Sequence, residues 1–291
     1  MGKFTISLDF ELGWGALETG FWKTREQSGV YERLRKSIAS LTTLLDDLEV
    51  PLTWATVGAM ISNPAPKDFD YLPEPFSTKA KDFLKTAKVS SYDGRDLLHQ
   101  ILSMKTKQDI GSHSFSHTRF QVKDFSDEAK KIDMQKAVTA LKSFDIVPRS
   151  FVFPVNQVAS LDIVEQSGIS VARMPAEMAR TKIGKLVERV TGDLPSALRS
   201  AHSENFFTES GTMLYHWKNN KNLRLRRQLV NHQSKLALRK AEMSDYHFHI
   251  WLHPFNLAEI RYLQNDLSSL IVKAATLRDQ GKLEIVPIYS Q

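Results

Sequence analysis

The sequence predicts an α/β fold in which helices cover a parallel sheet. Apolar runs of strand length alternate with amphipathic helical patterns along most of the 291 residues, and the first of them form a strand-helix-strand unit. This alternation is typical of a barrel or of an open sheet. We interpret the weaker patterns near 60–90 and 174–245 as insertions into one domain that spans 1–291, with 174–211 as a long surface excursion.

Seven strands are predicted from the spacing of apolar residues. In the first strand Phe4, Ile6 and Leu8 alternate with polar residues, a helix follows at Val30–Leu48, and Leu52–Gly58 is the second strand. The other predicted strands are Asp109–Ile110, Phe151–Phe153, Ile169–Arg173, Tyr246–His253 and Leu283–Val286. The other predicted helices are Thr78–Lys85, Arg95–Met104, Asp127–Phe144, Leu161–Gln166 and Leu257–Gln280.

The composition limits both the chemistry and the expected location. There is no cysteine, so thiolate ligands are excluded, and histidine, aspartate and glutamate are the side chains left to bind a metal. The chain starts directly with a strand pattern and lacks the regions of a secretory signal, so we expect a cytoplasmic protein. No apolar run approaches the roughly 20 residues that cross a bilayer. The net charge of +6 suggests an anionic partner.

Two histidines and two carboxylates are candidates for a metal site. His113 and His117 lie four residues apart in a loop rich in serine, a spacing at which both rings can face one ion. Asp9 and Glu11 end the first strand and point to the same face, at the end of the sheet where parallel α/β folds carry their chemistry. The alternatives are ordinary loop histidines and a carboxylate pair that faces water.

A third histidine is predicted at the same end of the sheet. The strand Tyr246–His253 places His247, His249, Trp251 and His253 on one face, and of these only His253 lies at the C-terminal end. We therefore expect His253 to join the carboxylates and the histidine loop. His247 and His249 are expected deeper in the fold, as hydrogen-bonded core residues.

In combination, these motifs resemble those of the polysaccharide deacetylases, which are carbohydrate esterase family four with the chitooligosaccharide deacetylase homology domain. Ser7-Leu8-Asp9-Phe10-Glu11 is similar to the early acidic motif of that family, His113-Ser114-Phe115-Ser116-His117 to its histidine motif, and Leu252-His253-Pro254 to its late motif. The resemblance spans roughly Lys3 to Val286. It implies a distorted parallel (β/α) barrel of about seven strands in a single domain, and a metal-dependent hydrolase that removes an N-acetyl group from an amino sugar.

The resemblance also implies a role for each matching residue. Glu11, His113 and His117 would bind a divalent metal ion, with Zn²⁺ expected and Co²⁺, Ni²⁺, Mn²⁺ or Fe²⁺ as alternatives. Asp9 would be the general base and His253 the general acid. The residues expected to contact the acetylated sugar are Trp14, Asn156, Gln157 and Arg173, of which Trp14 could equally be a core residue.

The motifs depart from the family pattern at three places, one of which is that the tryptophan and aspartate that often assist the late histidine are not identifiable. Many members have adjacent aspartates, whereas the acidic pair here is Asp9 and Glu11, which matches a variant subgroup with an Asp-x-Glu motif. The arginine–proline motif of the family appears only as Phe151-Val152-Phe153-Pro154-Val155-Asn156-Gln157, without an arginine. We predict that Arg173, at the end of the next strand, pairs with Asp9 instead. An ordinary surface arginine is the alternative.

A basic segment follows the second insertion. Between Lys218 and Lys240 eight cationic residues accumulate with no acidic residue among them. One interpretation is a solvated helix whose long cationic side chains cover apolar surface. The other is a binding surface for phosphate, either of a lipid-linked or nucleotide-linked sugar or of an anionic membrane. Nucleic acid is not expected, because no groove-reading motif is present.

Two other functions remain alternatives to the hydrolase. A non-catalytic module that binds carbohydrate or an anionic surface would depend mainly on the basic segment. A metal-independent amidohydrolase of the same fold is the second alternative, although such relatives lack the full histidine pair. The sugar itself, and N-acetyl as against O-acetyl or N-formyl, are not determined by the sequence.

Overall fold

The first strand of the chain lies in the middle of the sheet. The computed structural model describes residues 1–176, 194–218 and 222–289, and in it β1 (Lys3–Phe10) pairs in parallel with β2 (Thr53–Thr56) and with β9 (His247–Leu252). Every residue of β1 after Lys3 is buried. A strand buried on both faces is typical of a parallel sheet covered by helices.

Ten strands of the described residues form one curled sheet with the order β6-β7-β5-β4-β3-β2-β1-β9-β8, and β10 also pairs with β1. Every pairing is parallel except that of β6 with β7. The remaining strands are β3 (Asp109–Ser112), β4 (Ser150–Val152), β5 (Val171–Met174), β6 (Arg199–Ala201), β7 (Phe207–Ser210), β8 (Met213–Leu214) and β10 (Glu284–Ile285).

Helices connect successive parallel strands and cover the outside of the sheet. Within the described ranges they are α1 (Phe21–Gln27), α2 (Val30–Asp47), α3 (Gly58–Ser62), α4 (Phe76–Thr86), α5 (Val89–Tyr92), α6 (Arg95–Leu102), α7 (Asp127–Lys142), α8 (Leu161–Gln166), α9 (Leu223–Met243), α10 (Phe255–Glu259) and α11 (Leu263–Asp279). None of them is both long enough and apolar enough to cross a lipid bilayer.

The predicted distorted barrel in a single domain is confirmed, but the strand count was too low. The three extra strands, β6, β7 and β8, lie in 174–211 and just beyond it, so the interpretation of this stretch as a surface excursion was wrong. Their two to four residues are too short to show an alternating pattern. Residues 177–193 and 219–221 of the same predicted insertion lie outside the described part.

The helix predicted at Leu257–Gln280 is two helices, α10 and α11. Tyr262 separates them with φ +68°, a left-handed conformation that an α-helix cannot contain. The helical spacing of apolar residues continues across the break, and for that reason the sequence predicts one helix. The break turns α11 back along the outside of the sheet, where it packs against α9.

Parallel pairing brings the C-terminal ends of β1, β3, β5 and β9 to one end of the barrel. The opposite end is held by Asp109 at the start of β3. Its Oδ2 atom accepts hydrogen bonds from Thr53 on β2 and from Ser150 on β4, each 2.8 Å long, and from the backbone N–H of Tyr289. Burial raises the pKa of Asp109 to about 6.

Asp109→Asn should stabilise the protein at neutral pH and should have little effect in acid. The pKa of Asp109 is raised in the folded state, so its charged form destabilises the folded protein. Stability is therefore lost as pH rises from about 4 to about 6. An asparagine oxygen can accept the same two hydroxyl bonds without that charge. We expect the gain above pH 6 to be on the order of 1–3 kcal/mol, measured by urea unfolding across pH.

The matched control for this measurement is Asp145→Asn, which removes an exposed carboxylate from the same end of the barrel. A gain in Asp109→Asn that does not depend on pH, or that also appears in Asp145→Asn, would contradict the explanation by burial.

Candidate metal centre and active site

Strand β1 directs two carboxylates into the end of the barrel. Asp9 lies on the strand and Glu11 directly after it, and each residue is 3% exposed. The backbone of Gly15 closes over Glu11, since a Cβ atom at that position would lie 1.9 Å from its Oε1 atom. The loop after β1 therefore needs a glycine at this place to accommodate the Glu11 carboxylate.

The histidine loop follows β3 and is held by Asp133 on α7. The buried carboxylate of Asp133 accepts the backbone N–H groups of Phe115 and Ser116 at 3.0 and 3.1 Å. It also accepts the hydroxyl of Tyr71 at 2.6 Å. His117 has φ +60°, a conformation that costs energy for a residue other than glycine. The Asp133 bonds oppose relaxation of this bend.

Three potential ligand atoms converge at the end of the barrel. Oε2 of Glu11 lies 2.8 Å from Nε2 of His117 and 3.4 Å from Nε2 of His113, and the two Nε2 atoms are 3.2 Å apart. Ligand atoms bound to one tetrahedral zinc ion lie about 3.3 Å from each other. The triangle therefore has the size that a divalent ion requires, and its two imidazoles and one carboxylate suit zinc and other first-row metals.

The hydrogen bonds of these residues also fit a bound cation. Nδ1 of His113 lies 2.7 Å from the carbonyl oxygen of Val152 and must donate to it, so Nε2 keeps its lone pair toward Glu11. Burial lowers the pKa of His113, which favours its neutral form. Oε2 of Glu11 is buried and makes no well-aligned hydrogen bond among the described residues. A bound cation would offset the free-energy cost of burying this charged oxygen.

Burial and positive neighbours have opposite effects on Glu11. Burial disfavours its charged form, but the positive charges of His253 and His117 favour that form and outweigh burial. The pKa of Glu11 is therefore held well below its usual value, and the carboxylate is ready to bind a metal at neutral pH.

Asp9 forms a buried ion pair with Arg173. The two guanidinium nitrogens of Arg173 donate to the two carboxylate oxygens of Asp9 at 2.6 and 2.8 Å, and the Arg173 side chain is 1% exposed. Burial alone would raise the pKa of Asp9, but the charge and hydrogen bonds of Arg173 lower it below its usual value. The structure thus brings the two residues together as the sequence predicted, and Arg173 is not a surface arginine.

His253 lies across from both carboxylates, just after β9. Its Nε2 atom is 3.6 Å from Oε1 of Glu11 and 4.0 Å from Oδ2 of Asp9. The ring stacks on Phe255, with centroids 5.1 Å apart, and its side chain is 27% exposed. It is thus more open to solvent than Asp9 or Glu11, and one nitrogen faces the carboxylates.

Of the residues expected to contact the sugar, some lie near the site and one lies in the core. Asn156 accepts a hydrogen bond from Arg173 at 3.1 Å, and Gln157 follows it, half-buried beyond the end of β4. Trp14 is instead 1% exposed, stacks on Phe69, and donates from Nε1 to a backbone carbonyl. Its place is in the core, so we remove Trp14 from the proposed set of substrate contacts.

Sequence reasoning missed the residues that hold the site from behind. Asp133 and Tyr71 come from α7 and from the first insertion, and neither lies in a motif. Val152 contributes only its carbonyl oxygen. One signal was present: Asp133 lies among apolar positions of the α7 pattern, where a buried carboxylate must have partners.

Asp133→Asn should weaken Zn²⁺ binding about 10- to 100-fold, because outer partners of metal ligands typically contribute this much. Asparagine offers one acceptor oxygen instead of two, and its amide group would face a backbone N–H of the loop. Competition with a chelator measures the affinity. Tyr71→Phe, which removes one donor and leaves both backbone bonds, is the control and should lose much less. Unchanged affinity in Asp133→Asn would contradict this role.

Comparisons with known proteins support the fold. No family model matches the sequence, and no curated protein matches it. A structure from Pseudomonas aeruginosa PAO1 described as a polysaccharide deacetylase has a TM-score of 0.62 at 11% identity, covering 98% of this chain and 87% of that one. Another so described, from Mycobacterium smegmatis, has a TM-score of 0.58 at 10% identity, covering 99% and 93%.

A third solved structure shares the fold but is named for a different activity. It is a 4-alpha-glucanotransferase from Thermococcus litoralis, with a TM-score of 0.52 at 9% identity, covering 99% of this chain and 37% of that one. Likeness of this kind establishes the scaffold and leaves the reaction to be argued from the site. The chain has the fold of the polysaccharide deacetylases, and the resemblance seen in its motifs is confirmed at that level.

Proposed function

We propose that this protein is a metal-dependent hydrolase that removes the acetyl group from an N-acetylated amino sugar. The observation that carries the proposal is the convergence of Glu11, His113 and His117 beside the Asp9–Arg173 pair and His253. The acidic pair would make it the Asp-x-Glu variant of the family arrangement. Two neighbours with TM-scores of 0.58 and 0.62 are described as polysaccharide deacetylases, which supports the same reaction class.

Glu11, His113 and His117 would hold the ion. When bound, a divalent cation supplies Lewis acidity toward the amide carbonyl oxygen and makes a nearby water more acidic. Zinc is the ion that we propose, since its preferred ligands and distances match this set of atoms.

Asp9 would accept a proton from the water that attacks the amide carbon. Arg173 keeps Asp9 ionised, so that it is ready to accept the proton at neutral pH, although the same charge makes it a weak base. A weak base suffices only where the water is already acidified, as it would be by an ion held next to this pair. Protonated His253 would donate to the departing nitrogen as the C–N bond breaks, leaving acetate and a free amine.

The same geometry argues against the two alternatives. A binding module has no use for a buried carboxylate and two imidazoles whose ligand atoms are 2.8 to 3.4 Å apart. A metal-independent amidohydrolase would leave Oε2 of Glu11 buried without a compensating cation. Asn156 and Gln157 remain proposed substrate contacts, and the cytoplasmic location remains a prediction.

Metal analysis combined with an acetate-release assay tests the function. We expect about one divalent ion per chain, lost in His113→Ala, because two remaining ligands do not hold zinc tightly. Asp9→Asn should retain the ion and lose about 10²- to 10⁴-fold in turnover of an N-acetylated chitooligosaccharide, because the general base is removed.

The control for His113→Ala is His99→Ala, which removes an exposed histidine of α6 and should change neither metal content nor acetate release. Metal content that does not depend on His113 would favour the binding module. Near-normal turnover in Asp9→Asn would show that the base is another group.

We further propose that the substrate carries phosphate, linked to a lipid or a nucleotide, and that α9 faces an anionic surface. The cations of α9 that form no close ion pair among the described residues are Arg224, Arg226, Lys235 and Arg239. A lone acidic residue of the helix, Glu242, pairs with Lys282. Burial and the positive charges of His253 and Lys218 lower the pKa of His216 to about 4, so the cationic segment begins near the proposed acid.

The outer face of α9 also carries exposed apolar side chains. Leu225 is 67% exposed and Met243 is 73% exposed, and because they are five helical turns apart, both lie on the same side. Lys235 and Arg239 lie on one side of this line and border a groove between α9 and α11 that Leu238 also lines. Cations beside exposed apolar groups are typical of surfaces that lie on anionic lipid.

Reversing two charges on α9 tests this surface. Lys235→Glu combined with Arg239→Glu should weaken binding to phosphatidylglycerol vesicles at least tenfold, since each cation near such a surface contributes about 1 kcal/mol. The control, Lys36→Glu combined with Lys142→Glu, changes the net charge equally on α2 and α7 and should bind as the parent does. Equal turnover of neutral and nucleotide-linked acetylated sugars, together with no vesicle binding, would contradict the phosphate proposal.

A further inference from the structure

A second polar cluster lies inside the barrel, behind Asp9. β1 contributes Thr5 and Ser7, β9 contributes His247 and His249, and β7 contributes Glu209. Ser7 and His249 are fully buried and Glu209 is 2% exposed. Both histidines are hydrogen-bonded residues of the interior, in agreement with the sequence analysis, and the proposed reaction uses none of the five.

The direction of each hydrogen bond follows from the groups involved. Arg173 can only donate, so its Nη1 atom donates to Oγ of Ser7 at 2.9 Å. Oγ of Ser7 also lies 2.9 Å from Nε2 of His249. On the far side of that ring, Nδ1 lies 3.3 Å from Oε1 of Glu209. A lone pair on Nδ1 would face the carboxylate and be repelled, so the proton of the ring belongs on Nδ1.

With the proton on Nδ1, the donor and acceptor roles in the remaining hydrogen bonds are determined. Nε2 of His249 becomes an acceptor, and the hydroxyl of Ser7 must donate to it while it accepts from Arg173. Nδ1 of His249 and Oε1 of Glu209 are both buried, and neither makes a well-aligned hydrogen bond to any of the described residues. Their approach to each other at 3.3 Å is the contact that the ring proton can strengthen. Burial lowers the pKa of His249, which is consistent with a neutral ring.

The cluster is not a second metal site. Nε2 of His247 lies 2.8 Å from the hydroxyl oxygen of Thr5 and 4.0 Å from the nearest Glu209 oxygen. These atoms do not form the close triangle seen at Glu11. Within the described residues, the ligand atoms of the two histidines and Glu209 do not all lie close enough to share one ion. A positioning role fits the contacts better.

The groups around Arg173 restrict the orientation of its guanidinium. The ring of Trp251 lies over its guanidinium, 4.6 Å from Cζ, and Asn156 accepts from Nη2. Gly211 makes this packing feasible, since a Cβ atom there would lie 3.2 Å from Trp251 and 3.7 Å from Arg173. Glu209 is the register partner of Arg173 on the neighbouring strand.

We propose that Glu209 and His249 are positioning residues. Through Ser7 they hold the Arg173 guanidinium so that its two nitrogens face the two carboxylate oxygens of Asp9. Glu209 keeps the His249 ring in its Nδ1–H form, the ring orients the Ser7 hydroxyl, and that hydroxyl offers its lone pair to Arg173. The catalytic importance of the array rests on the proposed function, in which Asp9 is the general base. The array itself is a property of the folded chain.

Nitrogen-15 NMR of the imidazole rings tests the array without any turnover. In the parent protein we expect His249 to be neutral with its proton on Nδ1, and His249→Gln identifies its signals by their loss. In Glu209→Met, which fills similar space without an acceptor, the proton should move to Nε2. We expect kcat on an N-acetylated chitooligosaccharide to fall at least tenfold in that variant, with KM within about twofold of the parent.

Arg199→Met is the matched control, because Arg199 contacts the other oxygen of Glu209 at 3.0 Å from the exposed side and does not reach His249. It should keep the Nδ1–H form and the parental kcat. An Nε2–H ring in the parent protein would overturn the proposal, as would a Glu209→Met protein that retains either the parental tautomer or the parental kcat. If no variant and no parent releases acetate, the proposed function fails while the tautomer result still decides the array.

Discussion

The arrangement of the site depends on the burial of two carboxylates at the end of the central strand. Asp9 and Glu11 are each 3% exposed, and an ionised carboxylate without compensation in such a place would be strongly destabilising. Asp9 is compensated by the Arg173 guanidinium. Glu11 faces His113, His117 and His253, and a bound divalent cation would complete its compensation. The need to balance these two charges accounts for the positions of Arg173 and of the three imidazoles that face the carboxylates.

The balance is maintained by groups that never face the site opening. Asp133 holds the histidine loop through backbone N–H groups, and the carbonyl of Val152 orients His113. On the other side, Glu209 and His249 support Arg173 through Ser7. Each support comes from a different secondary-structure element, so the site is rigid only when the whole sheet is assembled.

The scaffold and the reaction are separate questions. The same barrel carries a glucanotransferase with a TM-score of 0.52 as well as structures described as deacetylases, so the fold does not choose between them. The choice is made by a few side chains at the C-terminal ends of the strands. In this chain those side chains are two imidazoles, two carboxylates, one guanidinium and a further imidazole, a set suited to metal-assisted amide hydrolysis.

The sequence by itself determined the first parallel strand-helix-strand unit, the carboxylates of β1, the histidine loop and His253, because period-two alternation and strand-end position are local properties of the chain. It also led to Arg173 as the partner of Asp9. Only the tertiary structure decided that Trp14 is a core residue, that β6, β7 and β8 join the sheet, and that Asp133 and Glu209 support the site. Those outcomes depend on contacts between residues far apart in the chain, and such contacts leave no period in the sequence.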